Sequence, residues 1–299
     1  MWLILALFSA LFLGVYDVFK KVSLQNNAVI PVIFTSVLFS SLIMVPFIII
    51  SSFAPNLLQG ALFFVPTVDL ETHLFLVLKA VIVLISWLFA YFAMKHLPIS
   101  LASPIKATQP MWTVLGAVLI FGERLNIYQA AGIGITLLSF FMFSVIGKKE
   151  GISFTNNKWF WFIILATLTG ALSGLYDKYL MNQFNAMAVQ TYYTLYQGII
   201  MAFITLFLWA PTRKTTTPFQ FRWSIAFISI FLVTADFIYF YALSLPDSLI
   251  SVVSTIRRAG VVVPFIYGAF FMQDKNIKYK VIDLLGVLLG MFLLFLGSR

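Results

Sequence analysis

The chain has 299 residues, of which 62% are hydrophobic and only 10% charged, against roughly 25% charged for a soluble domain. A soluble core cannot absorb that apolar excess without leaving broad greasy patches in water, so the side chains face lipid. At about 20 residues per span, the length suits roughly ten helices with short connections. The net charge of +9 then reads as topology markers and buried site residues, not as a nucleic-acid surface. The absence of cysteine excludes disulfides, thiolate metal sites and cysteine nucleophiles.

Apolar runs separated by polar or proline-containing breaks predict ten membrane segments: Trp2 to Phe19, Val29 to Ile50, Leu74 to Met94, Ser100 to Phe121, Ile127 to Ile146, Trp159 to Leu180, Met187 to Ala210, Trp223 to Ser244, Ser248 to Met272 and Val281 to Leu296. The first run lacks a basic leader and meets Asp17 before a small-residue cleavage site, so it is expected to be a retained helix. The longest connection is Ser51 to Thr72, whose Asn56 to Val65 portion is expected to lie along the membrane surface.

An internal repeat supports this layout. A shift of 160 residues places Gly14, Tyr16 and Asp17 on Gly174, Tyr176 and Asp177. A shift of 148 places Tyr91, Phe92, Leu97, Pro98, Ser100, Leu101 and Ser103 on Tyr239, Phe240, Leu245, Pro246, Ser248, Leu249 and Ser251. Each half, residues 1–146 and 159–297, then holds five spans. Because five is odd, the second half enters the membrane the other way up, as in secondary transporters built around a midplane site. The expected fold is all-α, a polytopic membrane protein of ten transmembrane helices in two inverted five-helix repeats.

Twelve basic residues fall on the odd-numbered connections: Lys20, Lys21, Lys95, Lys148, Lys149, Lys158, Arg213, Lys214, Arg222, Lys275, Lys278 and Lys280. Only Arg124, Lys178 and Arg299 fall on the even ones and the C-terminus. The positive-inside rule puts the odd connections in the cytoplasm and both termini outside.

Four bases remain. Lys79 is near the end of its segment and is expected to snorkel. Lys106 lies about 9 Å into its segment and Arg257 and Arg258 about 14 to 15 Å, at the 1.5 Å rise of a helix. Such depth demands an acidic partner or a watery cavity. Asp17, Asp177 and Asp236 are the available acids, and either pair with these bases or serve as coupling groups; Lys20 and Lys21 stand at helix-pairing distance from Asp17. Pro104 and Pro110 bracket Lys106 and remove backbone hydrogen bonds beside it, which suits a cavity wall. Pro264 follows the arginine pair in the second half.

These features together resemble the drug/metabolite transporter superfamily with paired EamA-type domains. The carrying residues are Tyr91-Phe92-Ala93-Met94 through Leu97-Pro98, Pro110, Gly122-Glu123-Arg124-Leu125 and Gly132, then Tyr239 to Leu243, Leu245-Pro246 and Asp283-Leu284-Leu285-Gly286. At the position of Glu123 the second half reads Gln273-Asp274. Within the superfamily, Ile105-Lys106-Ala107-Thr108-Gln109-Pro110 is similar to the Ile-Lys-Ala-x-x-Pro stretch of the sugar-phosphate/phosphate translocator branch, and Arg257-Arg258 to its Lys-Arg pair. The resemblance implies an anion clamp of Lys106, Arg257 and Arg258. Gln109, Tyr91 and Tyr239 are further substrate-binding candidates, the tyrosines as phenol donors and aromatic walls.

The expected function is secondary transport of a small organic anion or phosphorylated metabolite by alternating access, as an exchanger. The competing expectation is proton-coupled export of amino acids or other small metabolites through Asp17, Asp177 or Asp236. An enzyme is not expected, since the two histidines, His73 and His96, stand in no metal-binding or nucleophile-base pattern, and no glycine-rich nucleotide loop supports an ATP-driven pump. No cofactor, metal or nucleic-acid partner is expected. The partners are the lipid bilayer and a small-molecule substrate, and the location is the plasma membrane of a bacterium.

Overall fold

The computed structural model of the chain describes residues 2–58, 60–121, 125–149, 157–245 and 250–297. Gly122, Glu123, Arg124, Pro246, Ser248, Leu249 and Arg299 therefore lie outside the described residues. Those described are helical or in turns and connections: α1 (Trp2–Leu24), α2 (Val29–Phe53), α3 (Pro55–Leu58), α4 (Leu70–His96), α5 (Ile99–Ala107), α6 (Gln109–Phe121), α7 (Ile127–Lys149), α8 (Lys158–Gln183), α9 (Ala186–Ile204), α10 (Trp223–Ser244), α11 (Ile250–Arg258), α12 (Val262–Phe270) and α13 (Ile277–Gly297). Seven of them, α1, α2, α4, α8, α9, α10 and α13, are long and apolar enough to cross a membrane as single helices. The protein is a multi-pass membrane protein.

The fourth and ninth predicted spans are each two short helices in line. The fourth breaks at Thr108 between α5 and α6, and the ninth breaks in a 3-10 turn, Ala259–Val261, between α11 and α12. Pro110 and Pro264 sit in the first turns of α6 and α12, where a missing N–H costs least. The prolines thus mark where each second half-helix starts. α9 ends through a π turn, Thr205–Trp209, and a 3-10 turn, Ala210–Thr212, with Pro211 at the stop.

Packing is symmetric under exchange of the halves. α1 packs extensively on α10 and α4 on α8, which are the same pairing with the halves swapped; α7 lies along α13 and α2 along α9, each helix on its own counterpart. Lipid exerts no hydrophobic force between helices, so small residues carry these contacts by letting backbones approach. On α13, Gly286 and Gly290 face Ser139, Thr136 and Gly132 of α7, and a Cβ at Gly132 would stand 2.8 Å from the Gly290 carbonyl oxygen. At the second close crossing, a Cβ on Gly14 of α1 would strike the Gly260 carbonyl, and one on Gly260 would strike the carbonyl of Ala10.

The start of α4 lies four residues before the predicted boundary. Asp69 caps it, accepting from the Thr72 backbone N–H at 3.0 Å and from the Thr72 hydroxyl. Those bonds hold the Asp69 carboxyl below its usual range. The Asn56 to Val65 portion does more than lie along a surface. Ser51 Oγ accepts from the Val65 N–H at 3.0 Å, and Val65 is buried against Met44 and Met187. The segment is therefore folded over the corner between α8 and α9.

The odd-connection end of the molecule is tied by polar bonds. Lys21 donates to the carbonyls of Met94 and Leu97, both at 2.6 Å. The Asn27 side-chain amide donates to the Gln220 carbonyl and accepts from the Gln220 N–H, Ser23 meets Ser224 at 2.7 Å, and Arg222 donates to the Val22 carbonyl. Asp274 accepts from the backbone N–H of Ser100 at 3.0 Å and from its hydroxyl, and Lys280 donates to the same hydroxyl at 3.1 Å. Lys20, Lys21 and Lys280, three of the twelve bases expected in connections, are instead buried within α1 and α13. Setting these three aside, and with them Lys178, which lies within α8, leaves nine against two, with the same sign.

Candidate functional site

The broken fourth and ninth spans face a cavity of about 110 Å³ walled also by α1, α4, α8, α9 and α10. Four bases line it, Lys79, Lys106, Arg257 and Arg258, together with two acids, Asp177 and Asp236. Gln109, Tyr239, Tyr16, Tyr193 and Trp87 complete its polar and aromatic wall. A smaller pocket behind it, shared by Lys106, Arg257 and Arg258, is lined by Asp17.

The pairing is specific. Arg257 donates to Asp236, which also accepts from the Tyr193 hydroxyl at 3.0 Å. The guanidinium lies over the Tyr239 ring, 4.3 Å from its centroid; its Nε is buried with no hydrogen-bond partner among the described residues. Lys79 pairs with Asp177 and lies 4.7 Å over the Tyr193 ring. Asp17 is held by Lys20, one turn along α1, and Lys106 stands 3.6 Å from the same oxygen. Among the described residues Arg258 is in no ion pair. With Asp17 and its partner Lys20 counted, five bases stand against three acids around the two pockets, an excess of two positive charges.

Of the residues expected from sequence, Lys106, Arg257, Arg258, Gln109, Tyr239, Asp177 and Asp236 meet around this one cavity. Gln109 is fixed there by donating to the Gly170 carbonyl at 2.7 Å, and Gly170 and Gly174 of α8 give its side chain room. Tyr91 is elsewhere: fully buried behind Tyr16, whose hydroxyl it meets at 3.4 Å, it does not line the cavity. Lys20 lies over both rings, at 4.5 and 5.3 Å.

Lys79 corrects the snorkelling expectation. It is 2% exposed and ion-paired across α4 and α8. Placing the segment start at Leu74 put Lys79 near an end, but α4 begins at Leu70, about 6 Å further out at 1.5 Å per residue. The cap Asp69 followed by Glu71 and Thr72 was the missed signal. Removing Lys79 alone strands a buried carboxylate. Lys79→Ala should therefore destabilise the fold by about 3–5 kcal/mol, read by thermal unfolding in detergent. The double variant Lys79→Met with Asp177→Leu should recover most of the loss; no recovery would mean the pair is not the cause.

The EamA-like transporter family matches residues 1–145 of this chain. A solved crystal structure of a protein superposes with a TM-score of 0.63 over 99% of this chain and 96% of that one, at 15% identity. That likeness concerns the fold. No curated protein matches the sequence.

Proposed function

We propose that the protein is a secondary transporter of a small organic anion, working by alternating access of two inverted EamA-like repeats, residues 1–146 and 159–297, in the cytoplasmic membrane of a bacterium. The observation that carries this reading is the excess of two positive charges around a cavity in the middle of the bundle, with Arg258 in no ion pair among the described residues. Uncompensated cations in a low-dielectric interior are costly, and an anion relieves that cost. Guanidinium forks match carboxylate or phosphate oxygens, and a lysine adds a movable point charge.

The match of the first half to a transporter family supports transport, and the phosphorylated version of the substrate rests on the Ile105 to Pro110 stretch and the arginine pair. Coupling by proton transfer is the weaker reading, because Asp17, Asp177 and Asp236 are each already engaged in an ion pair with a base. With that many fixed cations, an empty cavity resists crossing the membrane, which favours exchange of one anion for another.

The test is thermal stabilisation of the purified protein by phosphorylated metabolites, carboxylates, amino acids and cations, followed by uptake into proteoliposomes. Stabilisation and counterflow by anions are expected. A response confined to neutral or cationic compounds would overturn the reading.

A further inference from the structure

A second, larger cavity of about 460 Å³ opens beside the first, between residues 60–64, the corner joining α8 to α9, and the end of α10. Its walls are apolar and aromatic: Met181, Phe184, Met187, Phe237, Phe240 and Tyr241. No charged side chain lines it among the described residues. One end of each of its two amides is engaged, Asn185 Oδ1 capping α9 by accepting from the N–H groups of Met187 and Ala188, and Gln190 Nε2 donating to the Val233 carbonyl. Phe240 is common to both cavities, and Lys79 lies 5.9 Å over its ring on the inner side.

We infer that the two cavities hold the two ends of one amphipathic anion, its ionic head among Lys106, Arg257 and Arg258 and its apolar portion in the outer chamber across Phe240. The inference rests on the anion reading above and names its substrate class. The inner cavity alone is well below the ~300–1,000 Å³ of ordinary small-molecule sites, whereas inner and outer together fall inside that range. The charge divides the same way: every charged side chain is inside, and the outer side chains are mostly hydrocarbon, ring or thioether, with Asn185, Gln190 and Tyr241 as uncharged polar groups among them. A fully polar solute would leave the outer walls facing water. A fully apolar one would leave the excess cations unmatched.

Matched pairs of probes test this: methyl phosphate against phenyl phosphate, and acetate against phenylacetate, with dissociation constants measured by titration of the purified protein. Burial of an apolar group is worth roughly fourfold in affinity per methylene, so the aryl member of a binding pair should be at least tenfold tighter. Phe240→Ala should flatten that preference while the small member still binds. Because Phe240 is buried, the half-exposed Leu62→Gln serves as a second variant that leaves the bundle intact, and should cut the aryl preference severalfold. Equal affinities within each pair, as when the chamber holds a lipid tail, would overturn the amphipathic assignment and leave the anion reading standing. Failure of all four probes to bind would overturn both.

Discussion

Replacing Arg258 by alanine should weaken anion binding by roughly two orders of magnitude or more, matching the ~2–5 kcal/mol lost when one partner of a buried charge contact is removed. The same variant should unfold no earlier than the parent, because Arg258 has no ion pair to lose among the described residues. Arg257→Ala should behave differently. It strands Asp236, which then keeps only the Tyr193 hydroxyl among the described residues, and so lowers stability as well as affinity. Titration of a tight-binding anion and thermal unfolding, run on both variants, separate the two roles. Arg258→Lys keeps the charge and loses the fork, and should fall between. Unchanged affinity in Arg258→Ala would remove this residue from the site.

The largest structural effect is expected at Gly260. Its hypothetical Cβ meets the carbonyl oxygen and carbon of Ala10, backbone atoms of α1 that cannot rotate aside. On the other side, Gly14 of α1 meets the Gly260 carbonyl and the Val263 side chain. Gly260→Val must therefore push α1 off the broken ninth span and away from the wall that holds Arg257 and Arg258. A cost of about 4–5 kcal/mol or more belongs to this kind of overpacking without relief. The expected result is loss of monodisperse protein on extraction. Gly134→Ala, where nothing stands within 4 Å of the new atom, is the matched control and should extract normally.

How far the sequence carried can be judged residue by residue. The ten spans were legible because length and hydropathy suffice in lipid, where a helix must satisfy its own backbone. The break in the fourth span was legible at Pro110, since a proline leaves a chemical mark independent of context, whereas Pro104 stays inside α5 and Pro264 by itself announced no break. Depth singled out Lys106, Arg257 and Arg258, and the family resemblance implied that they act together; Gln109 and Tyr239 join them at the cavity while Tyr91 does not. Burial of Lys79, Lys20 and Lys280 did not follow. A membrane helix is apolar on every side, so no amphipathic stripe says which face meets protein, and a lysine near a helix end reads the same whether it snorkels or pairs. The outer chamber was hidden for a related reason: Phe237, Phe240 and Met187 look like any lipid-facing residues until the fold places them opposite one another.

The bond between Asp274 and the start of α5 ties the two halves of the chain together at the odd-connection end. The α5 cap position is Pro98, which has no side-chain hydrogen bond to offer; the carboxylate that accepts from Ser100 instead comes from the other half of the chain. Drawing the halves apart at that end uncaps α5 and strands the carboxylate. A lost cap costs about 1–2 kcal/mol, and each 1.4 kcal/mol is tenfold in population. Any opening at that end therefore has to offset the loss of this bond.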